Sequence, residues 1–342
     1  MRADFRVLVC GMGSIGERHV RNLIALGVER IAVVRRSAGA GYRTLDRELP
    51  CHSSLDEALR TFRPQLTLIC NPTSLHMDYA LRAAKARSHL LVEKPLGRDL
   101  SGITELENVL AENGCKAMVA YMQRFHPLNI LVRDWIRKGE NGPLGRPLHY
   151  HASWGEYLPD WHPWEDYTQS YAARRDLGGG PALTLSHEFD MLLWFFGKPE
   201  RCVGLPGSGS DLRLQCEHSV DALAGYAGGL VAHVHLDYFQ RPPRHRYELI
   251  GTRGRATMDY LSGELILERN PGGDEVTPQG MQRGDAEVHR VPEGFDRNAM
   301  FVDELKYMFE CIEKDLDPHP SIAEAGESIR LALRSLEGSE HG

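Results

Sequence analysis

The strongest constraint on this chain is a set of three spaced glycines between two short apolar segments near its start. The apolar run Phe5–Cys10 has the length of a buried parallel strand, and it ends where Gly11, Gly13 and Gly16 begin a turn. A second apolar run, Ile31–Val34, follows after a stretch with helical periodicity. Strand, glycine turn, helix and strand in this order predict a dinucleotide-binding βαβ unit.

Each glycine of this turn has its own expected role. Gly11 allows the tight turn, Gly13 lets a pyrophosphate approach the backbone, and Gly16 lets helix and strand pack closely. The free amides at the helix N-terminus, at Ser14 and Ile15, would then face the anion. A glycine turn can also be a plain connector, but its position between two strands favours the binding role.

The end of the second strand indicates which dinucleotide is bound. NAD-selective sites usually carry Asp or Glu about 20 residues past the glycines, and here the sequence reads Val34-Arg35-Arg36-Ser37, without a carboxylate. Two guanidiniums and a hydroxyl suit the 2′-phosphate of NADP, because the arginine fork matches phosphate oxygens. The alternative is a pair of solvated arginines at a strand end. We expect NADP to be preferred over NAD.

Composition argues against several classes of function. The 342 residues allow two domains, and 42% hydrophobic with 25% charged residues is ordinary for a soluble globular protein. A formal charge of −7 argues against nucleic acid as the main partner. Seven scattered cysteines without metal-like spacing favour a reduced, cytoplasmic setting and no metal site. We expect neither a membrane span nor a signal peptide, since no long apolar run occurs and Met1–Asp4 leads straight into the first strand.

Strands alternate with helices through residue 121. The expected elements are a helix over 55–62, a strand over 65–70, a helix from Ser74 (a possible cap) to 87, a strand over 90–92, a helix over 100–113 and a strand over 117–121. This alternation predicts an α/β fold, with a doubly wound parallel Rossmann sheet in residues 1–122. Ligands of such sheets lie beyond the carboxyl ends of the strands. The residues expected at those ends are Gly11, Asn71, Glu93, Lys94 and Tyr121.

The pattern changes in residues 123–342. Strand-like alternation appears at 147–154, 220–226, 230–238, 247–251, 256–260 and 264–268, and helices are expected over 127–138, 181–196, 296–314 and 322–336. Ala227-Gly228-Gly229 between two of the strands is a hairpin signal. These residues therefore predict an α+β domain with a mostly antiparallel sheet.

Two surface features are expected in this second domain. Its outer sheet face, expected to carry Tyr226, His233, His235 and Tyr238, could pair with another subunit. The glycine-rich, polar stretch Pro271–Gly284 is expected to be a mobile loop.

Taken together, these residues resemble the glucose–fructose oxidoreductase, inositol dehydrogenase and rhizopine-catabolism (Gfo/Idh/MocA) family over nearly the whole chain. The most specific marks are Glu93-Lys94-Pro95, Asn71-Pro72-Thr73-Ser74-Leu75-His76, Gly178-Gly179-Gly180 and Ser186-His187-Glu188-Phe189-Asp190. The insert Leu158–Trp164 and the Tyr171 region resemble a subgroup often associated with sugar or nucleotide-sugar metabolism. The resemblance implies a Rossmann domain plus an open-faced antiparallel sheet, through which many members form homodimers or homotetramers.

The resemblance also implies hydride transfer between the nicotinamide and a hydroxyl or carbonyl carbon of a sugar, sugar nucleotide or polyol. Lys94 matches the family's active-site lysine, which stabilises charge on the reacting oxygen, and His187 matches its histidine acid/base. The simpler alternatives are a solvated lysine before a proline turn and a capping or core histidine. We expect Lys94 and His187 to meet beside one nicotinamide ring.

Further contacts are carried over from the family to the matching positions. The cofactor is expected to contact Asn71, Pro72, Thr73, His76, Glu93, Lys94 and Arg124, and the substrate Lys94, Tyr121, Arg124, Trp161, Tyr171, Thr184 and His187. Arg124 could instead form a linker ion pair, and the aromatic residues could simply be buried. Asp190 could orient His187 or be structural. Many members carry an aspartate near Thr184, so this chain lacks one proton-handling or substrate-binding group.

Two other functions stay open at this stage. The first is a non-enzymatic sensor that binds cofactor and a protein partner on the same scaffold. The second is an epimerase or glycosidase that keeps a tightly bound cofactor for transient oxidation. Retention of both Lys94 and His187 argues against the sensor.

Overall fold

The computed structural model describes residues 4–35, 48–270 and 284–337. The strands of its first sheet are β1 (Val7–Cys10), β2 (Ile31–Val34), β3 (Cys51–His52), β4 (Leu66–Ile69), β5 (His89–Glu93) and β6 (Ala117–Ala120). They lie in the order β3-β2-β1-β4-β5-β6, and every pairing is parallel. All residues of β1, β2, β4 and β6 are buried, as in a sheet covered on both faces. The predicted α/β class with a doubly wound parallel sheet is confirmed.

Four helices connect these strands: α1 (Ser14–Ala25), α2 (Leu55–Thr61), α3 (His76–Lys85) and α4 (Ile103–Asn113). In α1, Val20 and Leu23 are fully buried, as an amphipathic helix packed on a sheet requires. The expected cap at Ser74 is wrong. A short 3₁₀ turn over Thr73–Leu75 precedes α3, which has no side-chain cap.

The second sheet contains β7 (Pro147–Gly155), β8 (Arg201–Gly207), β9 (Ser219–Gly225), β10 (Val231–Asp237), β11 (Arg244–Gly251), β12 (Gly254–Asp259), β13 (Glu264–Arg269) and β14 (Ala286–Arg290). Their order is β14-β13-β12-β11-β7-β10-β9-β8. Only β7 and β10 run parallel among the described pairings. Burial alternates strictly along β11, so one face is covered and the other is open. The prediction of a mostly antiparallel sheet is confirmed.

The remaining helices are α5 (Pro127–Arg137), α6 (Pro181–Thr184), α7 (His187–Phe196), α8 (Arg297–Lys314) and α9 (Ile322–Arg334). The helix expected over 181–196 is interrupted, because Leu185 and Ser186 leave the helical path between α6 and α7. His187 therefore occupies the first position of a helix.

The outer-face assignment was wrong for two of its four residues. Tyr226 is 8% exposed and Tyr238 is fully buried, whereas His233 and His235 are partly exposed on the open face. Strand alternation explains this, since both tyrosines share the even-numbered positions of the buried residues of β9 and β10. The predicted hairpin between those strands is confirmed, with Tyr226 N–H donating to the Leu230 carbonyl at 3.0 Å. Residues 271–283 of the expected mobile loop lie outside the described residues.

Packing divides the chain into two compact units. The first comprises Met1–Met122, Asp176–Gly178 and Arg297–Arg330, and the second comprises Gln123–Arg175, Gly179–Asp296 and Leu331–Gly342. The sequence assigned all of residues 123–342 to the second domain, whereas α8 and most of α9 pack in the first unit. None of the helices in the described part of the chain has the length and apolar character needed to cross a bilayer.

Candidate active site

The glycine turn after β1 has the geometry that a dinucleotide site requires. Gly11 has a φ of +97°, and a Cβ there would lie 2.7 Å from the Asn71 amide nitrogen. A Cβ on Gly16 would collide with the Gly11 carbonyl oxygen. A Cβ on Gly13, in contrast, would meet no atom within 4 Å. Two glycines thus allow the turn to form, and Gly13 leaves an open approach to the backbone.

This open approach lies at the start of α1. Gly13 precedes the first helical turn, and both Gly13 and Ser14 are exposed, whereas Ile15 is half-buried. The unbonded amides of a helix start, with its positive dipole end, attract an anion. The residues therefore fit a pyrophosphate at this turn.

The loop after β4 supplies a second indication of a bound molecule. The side-chain oxygen and nitrogen of Asn71 are both buried, and neither has a hydrogen-bond partner among the described residues. Buried amides are normally paired, so this pair of atoms fits a polar ligand that lies beyond the strand ends. Pro72 begins the following turn and Thr73, which is 3% exposed, forms its first residue.

His76 joins two of the strand-end loops. Its Nδ1 lies 2.7 Å from the Pro95 carbonyl oxygen and its Nε2 lies 2.7 Å from the Asn71 carbonyl oxygen. The ring is 2% exposed, and burial lowers its pKa while the two carbonyls oppose that shift. Both ring nitrogens are therefore engaged with backbone, so His76 holds the loops that carry Asn71 and Lys94.

Glu93, the last residue of β5, is held in place by two hydrogen bonds. Its Oε1 lies 2.8 Å from Nε2 of the buried His19, and its Oε2 accepts from the Lys94 backbone N–H at 3.2 Å. Glu304 on α8 is fully buried, and no described residue hydrogen-bonds either of its oxygens. Burial, followed by the negative charge of Glu93, raises the pKa of Glu304 well above its ordinary value. Half-buried Lys94 thus follows a fixed strand end in the first unit.

The end of β2, where the 2′-phosphate was expected, is only partly described. Arg35 directly follows β2, and its backbone N–H donates to the His52 carbonyl at 3.2 Å. Arg36 and Ser37 lie outside the described residues.

In the second unit, Arg124 is committed to a buried ion pair. Its Nε and Nη2 each donate to one carboxylate oxygen of Asp190 at 2.8 Å, and the two side chains are 6% and 1% exposed. A bidentate pair at such depth is a fixed element of the structure. Asp190 lies one turn beyond His187, which is 2% exposed at the start of α7. The Arg124–Asp190 pair therefore fixes the helix that carries His187.

Two of the expected substrate residues, Thr184 and Trp161, contact Tyr238, which was expected on the outer sheet face. The Thr184 hydroxyl donates to the Gly180 carbonyl at 2.6 Å and accepts a hydrogen bond from the Tyr238 hydroxyl. The Trp161 ring meets Tyr238 edge to face at 5.5 Å, and the buried Trp161 Nε1 has no described hydrogen-bond partner. Tyr171 is 38% exposed. Thr184 and Trp161 are thus linked through Tyr238.

Tyr121, which was expected to contact the substrate, and a surface concavity lie in different units. Tyr121 follows β6 and is fully buried in the first unit. A concavity of about 580 Å³ in the second unit is lined by Trp135, Lys138 and Arg253 among others, and none of its lining residues belongs to the expected site. No group of three or more metal-ligating side chains occurs among the described residues.

Several site residues were not found from the sequence. His19 lies on α1, but its partner Glu93 is 74 residues away. Tyr238 and the Arg124–Asp190 pairing depend on contacts between residues 54 and 66 positions apart, for which a single sequence gives no local signal.

Comparison with known proteins places the chain among oxidoreductases. The family model "Oxidoreductase family, NAD-binding Rossmann fold" matches residues 5–121, and the GFO/IDH/MocA C-terminal domain model matches residues 131–257. Together the two matches cover most of the chain, including all of the first sheet and β7 to β11 of the second.

Three curated relatives are similar in part. A 4-carboxy-2-hydroxymuconate-6-semialdehyde dehydrogenase of Sphingobium is 28% identical over 40% of this chain and 44% of its own length. A levoglucosan dehydrogenase of Pseudarthrobacter phenanthrenivorans is 30% identical over 38% of this chain and 32% of its own length. A dTDP-3,4-didehydro-2,6-dideoxy-alpha-D-glucose 3-reductase of Saccharopolyspora spinosa is 28% identical over 76% of both chains. The first two matches span less than half of those relatives.

Among solved structures, a levoglucosan dehydrogenase in complex with NADH and levoglucosan superposes with a TM-score of 0.84. It is 17% identical, and the match covers 97% of this chain and 96% of that one. This likeness shows that the two share a fold. Because both the N-terminal and the C-terminal model of one family match this chain in sequence order, it belongs to the Gfo/Idh/MocA family of NAD-binding oxidoreductases.

Proposed function

We propose that this chain transfers a hydride between NADP(H) and a hydroxyl or carbonyl carbon of a sugar, sugar nucleotide or related polyol. The observation that carries the proposal is the position of Lys94. It follows β5, which lies two places from β1 in the first sheet, so the amine is at the same strand-end edge as the glycine turn. An amine beside a dinucleotide site is suited to stabilise charge on a reacting oxygen.

The first unit supports cofactor binding in three ways. The open backbone at Gly13 and the start of α1 suit the pyrophosphate, and the buried, unpartnered side-chain atoms of Asn71 suit a polar part of the ligand. His76 and Glu93 hold the surrounding loops rather than presenting open hydrogen-bonding edges. The bound nicotinamide would supply the hydride chemistry.

The chain's own residues then handle the substrate oxygen and one proton. We assign Lys94 to bonding of the reacting oxygen and His187 to transfer of its proton, since a neutral-range imidazole can both accept and return a proton. Thr184, Trp161 and Tyr171 are assigned to substrate contact, with Tyr238 supporting the first two. Arg124 acts through Asp190, because its guanidinium is committed to that carboxylate.

NADP preference rests on the sequence after β2. Arg35, Arg36 and Ser37 offer cations and a hydroxyl where an NAD site usually offers a carboxylate. The levoglucosan dehydrogenase structure holds NADH. This chain would therefore differ from that structure in cofactor choice.

The choice of a sugar-type substrate rests on the relatives. A levoglucosan dehydrogenase and a deoxysugar-nucleotide reductase are among them. Another relative, the semialdehyde dehydrogenase, is named for a substrate that is not a sugar. We keep the sugar class because both the larger match and the superposed structure come from carbohydrate enzymes.

Association through the second sheet is a further part of the proposal. Its open face exposes Val203, Leu205 and Leu223 by 53%, 69% and 49%. Val203 and Leu223 are direct neighbours across β8 and β9. We expect a homodimer or homotetramer by light scattering, and a monomer would contradict this assignment. A cytoplasmic location remains a prediction from the sequence.

The deciding experiment measures turnover of NADP(H) and NAD(H) over a panel of sugars, sugar nucleotides and inositols. We expect one substrate class to be oxidised or reduced, and Lys94→Ala to lower kcat by about 100- to 1,000-fold while the cofactor Kd stays within twofold. Turnover that survives Lys94→Ala would remove Lys94 from the mechanism. Cofactor that copurifies and shows no net redox change during turnover would support the epimerase or glycosidase alternative. Cofactor binding without turnover of any panel member would support a sensor.

A further inference from the structure

A buried hydrogen-bonded pair of side chains anchors the residue that follows His187. Glu188 on α7 is fully buried, and its Oε1 lies 2.8 Å from Nε2 of His245 on β11. The second carboxylate oxygen, Oε2, is buried without a hydrogen-bond partner among the described residues. His245 is therefore the partner that compensates this carboxylate for leaving water.

His245 itself cannot turn away from that contact. It stands directly opposite Trp154 of β7 in the sheet register, and the two rings stack with centroids 4.1 Å apart and planes 8° apart. Tyr260, which follows β12 on the other side of β11, stacks on His245 at 3.9 Å and 25°. The imidazole is thus fixed by an aromatic ring from each neighbouring strand.

The same tryptophan touches His187. The Trp154 and His187 ring centroids are 5.8 Å apart, with an angle of 29° between the planes. The indole is itself fixed, because its Nε1–H donates to Glu156 Oε1 at 2.9 Å. Consecutive residues of α7 therefore meet adjacent strands, His187 on Trp154 and Glu188 on His245.

A structural explanation alone fits this arrangement poorly. Buried ion pairs are often no more stabilising than apolar residues of similar size, so a leucine at position 188 would hold the helix as firmly. A hydrogen bond of fixed direction, in contrast, sets the rotation of the first turn of α7. That rotation determines the plane in which the His187 imidazole lies against Trp154.

We propose that Glu188 and His245 are positioning residues for His187. Their hydrogen bond fixes the start of α7 on β7 and β11, so that the His187 imidazole is presented in one orientation for proton transfer. This inference rests on the proposed function of His187.

The first test compares Glu188→Ala with Glu188→Gln. Glutamine keeps an oxygen that can accept from His245, whereas alanine removes it. We expect Glu188→Ala to lower kcat about 10- to 100-fold, as misplacement of a reacting group does, with KM values for cofactor and substrate within twofold. Glu188→Gln should restore kcat to within about threefold of wild type. A wild-type kcat in Glu188→Ala would overturn the proposal.

A second variant separates positioning from stability. Glu188→Leu/His245→Phe replaces both members of the pair with apolar side chains and keeps a ring beside Trp154, so it should fold as stably as wild type. We still expect its kcat to fall at least tenfold, and an unchanged kcat would refute positioning. The matched control is Tyr247→Phe, which removes a buried hydroxyl bonded to Asn129 Oδ1 at 3.3 Å in the same sheet. This control should cost stability without lowering kcat. An equal kcat loss in the control would mean that any weakening of the sheet has the same effect.

A spectroscopic readout makes the result independent of turnover. In histidine-labelled protein, the His187 resonances are identified by their loss in His187→Gln. We expect them to shift or broaden in both Glu188 variants that lack the acceptor, Glu188→Ala and Glu188→Leu/His245→Phe, and to stay in place in Tyr247→Phe. If the resonances respond but no panel sugar turns over, positioning stands and the proposed function fails. If turnover occurs and neither kcat nor the resonances respond, the function stands and positioning fails.

Discussion

The glycine turn of the first unit and the start of α7 in the second unit depend on different kinds of chemical group. At the glycine turn in the first unit, the important groups are backbone atoms: a positive φ at Gly11, close approach at Gly16 and open amides after Gly13. At the start of α7 in the second unit, they are side chains, such as the bidentate Arg124–Asp190 pair and the Glu188–His245 pair. A backbone site depends on shape within a few residues. A side-chain site depends on partners far along the chain, so loss of one partner removes the group that compensates the other for burial.

The sharpest test of this contrast is Arg124→Gln, which leaves the Asp190 carboxylate buried without its guanidinium. We expect a loss of about 3–5 kcal/mol in the free energy of unfolding, measured by urea denaturation. The matched control is Arg255→Gln, which breaks the partly exposed Arg255–Glu268 pair, whose Nε–Oε2 distance is 2.8 Å. That control should cost less than about 1 kcal/mol. Similar losses in the two variants would show that burial does not govern this pair.

The stability of the second unit should also depend on pH, through His126. The His126 ring meets Tyr260, which stacks on His245. Burial, followed by the Coulombic interaction with His245, lowers the pKa of His126 to about 4. The unfolded chain takes up this proton near pH 6.5, whereas the folded chain does so only near pH 4. Stability should therefore be unaffected by this group above pH 6.5 and fall as the pH drops to 4, by up to about 3 kcal/mol.

The variant His126→Asn tests the contribution of His126 to this pH dependence. The His126 side chain accepts from the Leu128 N–H at 3.3 Å at the start of α5, and asparagine can keep this cap without titrating. As the pH falls from 6.5 to 4, the free energy of unfolding should decrease more for wild type than for His126→Asn. Parallel pH curves for the two proteins would contradict the buried, neutral histidine.

At the glycine turn, substitutions should affect stability and cofactor affinity differently from one position to the next. Gly16→Ala should lower both stability and cofactor affinity, because its Cβ collides with the Gly11 carbonyl inside the turn. Gly13→Ala should keep wild-type stability, since its Cβ meets no protein atom within 4 Å. It should still weaken cofactor binding at least tenfold, about 1.4 kcal/mol. Thermal unfolding and fluorescence titration measure the two properties. Unchanged affinity in Gly13→Ala would place the pyrophosphate elsewhere.

The smallest expected effect concerns cofactor choice. Arg35→Ala should weaken NADP binding about tenfold, or 1.4 kcal/mol, and leave NAD binding within twofold, because only NADP carries the 2′-phosphate. Titrations with both dinucleotides under equal salt give the comparison. Equal losses for the two would refute the phosphate assignment.

The same contrast explains what could be predicted from the sequence. The first sheet was predictable because Gly11, Gly13 and Gly16 lie within six residues and each central strand is a short apolar run. Three strands were missed, and all three are sheet edges: β3, β8 and β14. Edge strands have weak signals, since β8 contains two glycines and a proline and β14 is largely exposed.

The side-chain site was less predictable for a physical reason. Lys94 and His187 could be proposed from local motifs, but Glu188 gives no sign in the sequence that its partner is His245, 57 residues away. That pairing follows from β7 and β11 being neighbours, which is a property of the whole sheet. Tyr238 is a different case: burial alternates from Val231 to Leu236 in β10, and this alternation places the even-numbered positions on the buried face. Only its partner Thr184 has no local signal.

The division of the chain between the units has a consequence for biosynthesis. On α1, His19 meets Phe301 of α8 edge to face at 6.0 Å, and Asn22 exchanges amide hydrogen bonds with Asn298. A growing polypeptide therefore exposes this side of α1 until residues 298–301 have been synthesised. The first unit, although its larger part comes first in the chain, is therefore incomplete until residues 297–330 have been synthesised. A fragment cut after Met122 should aggregate rather than bind cofactor.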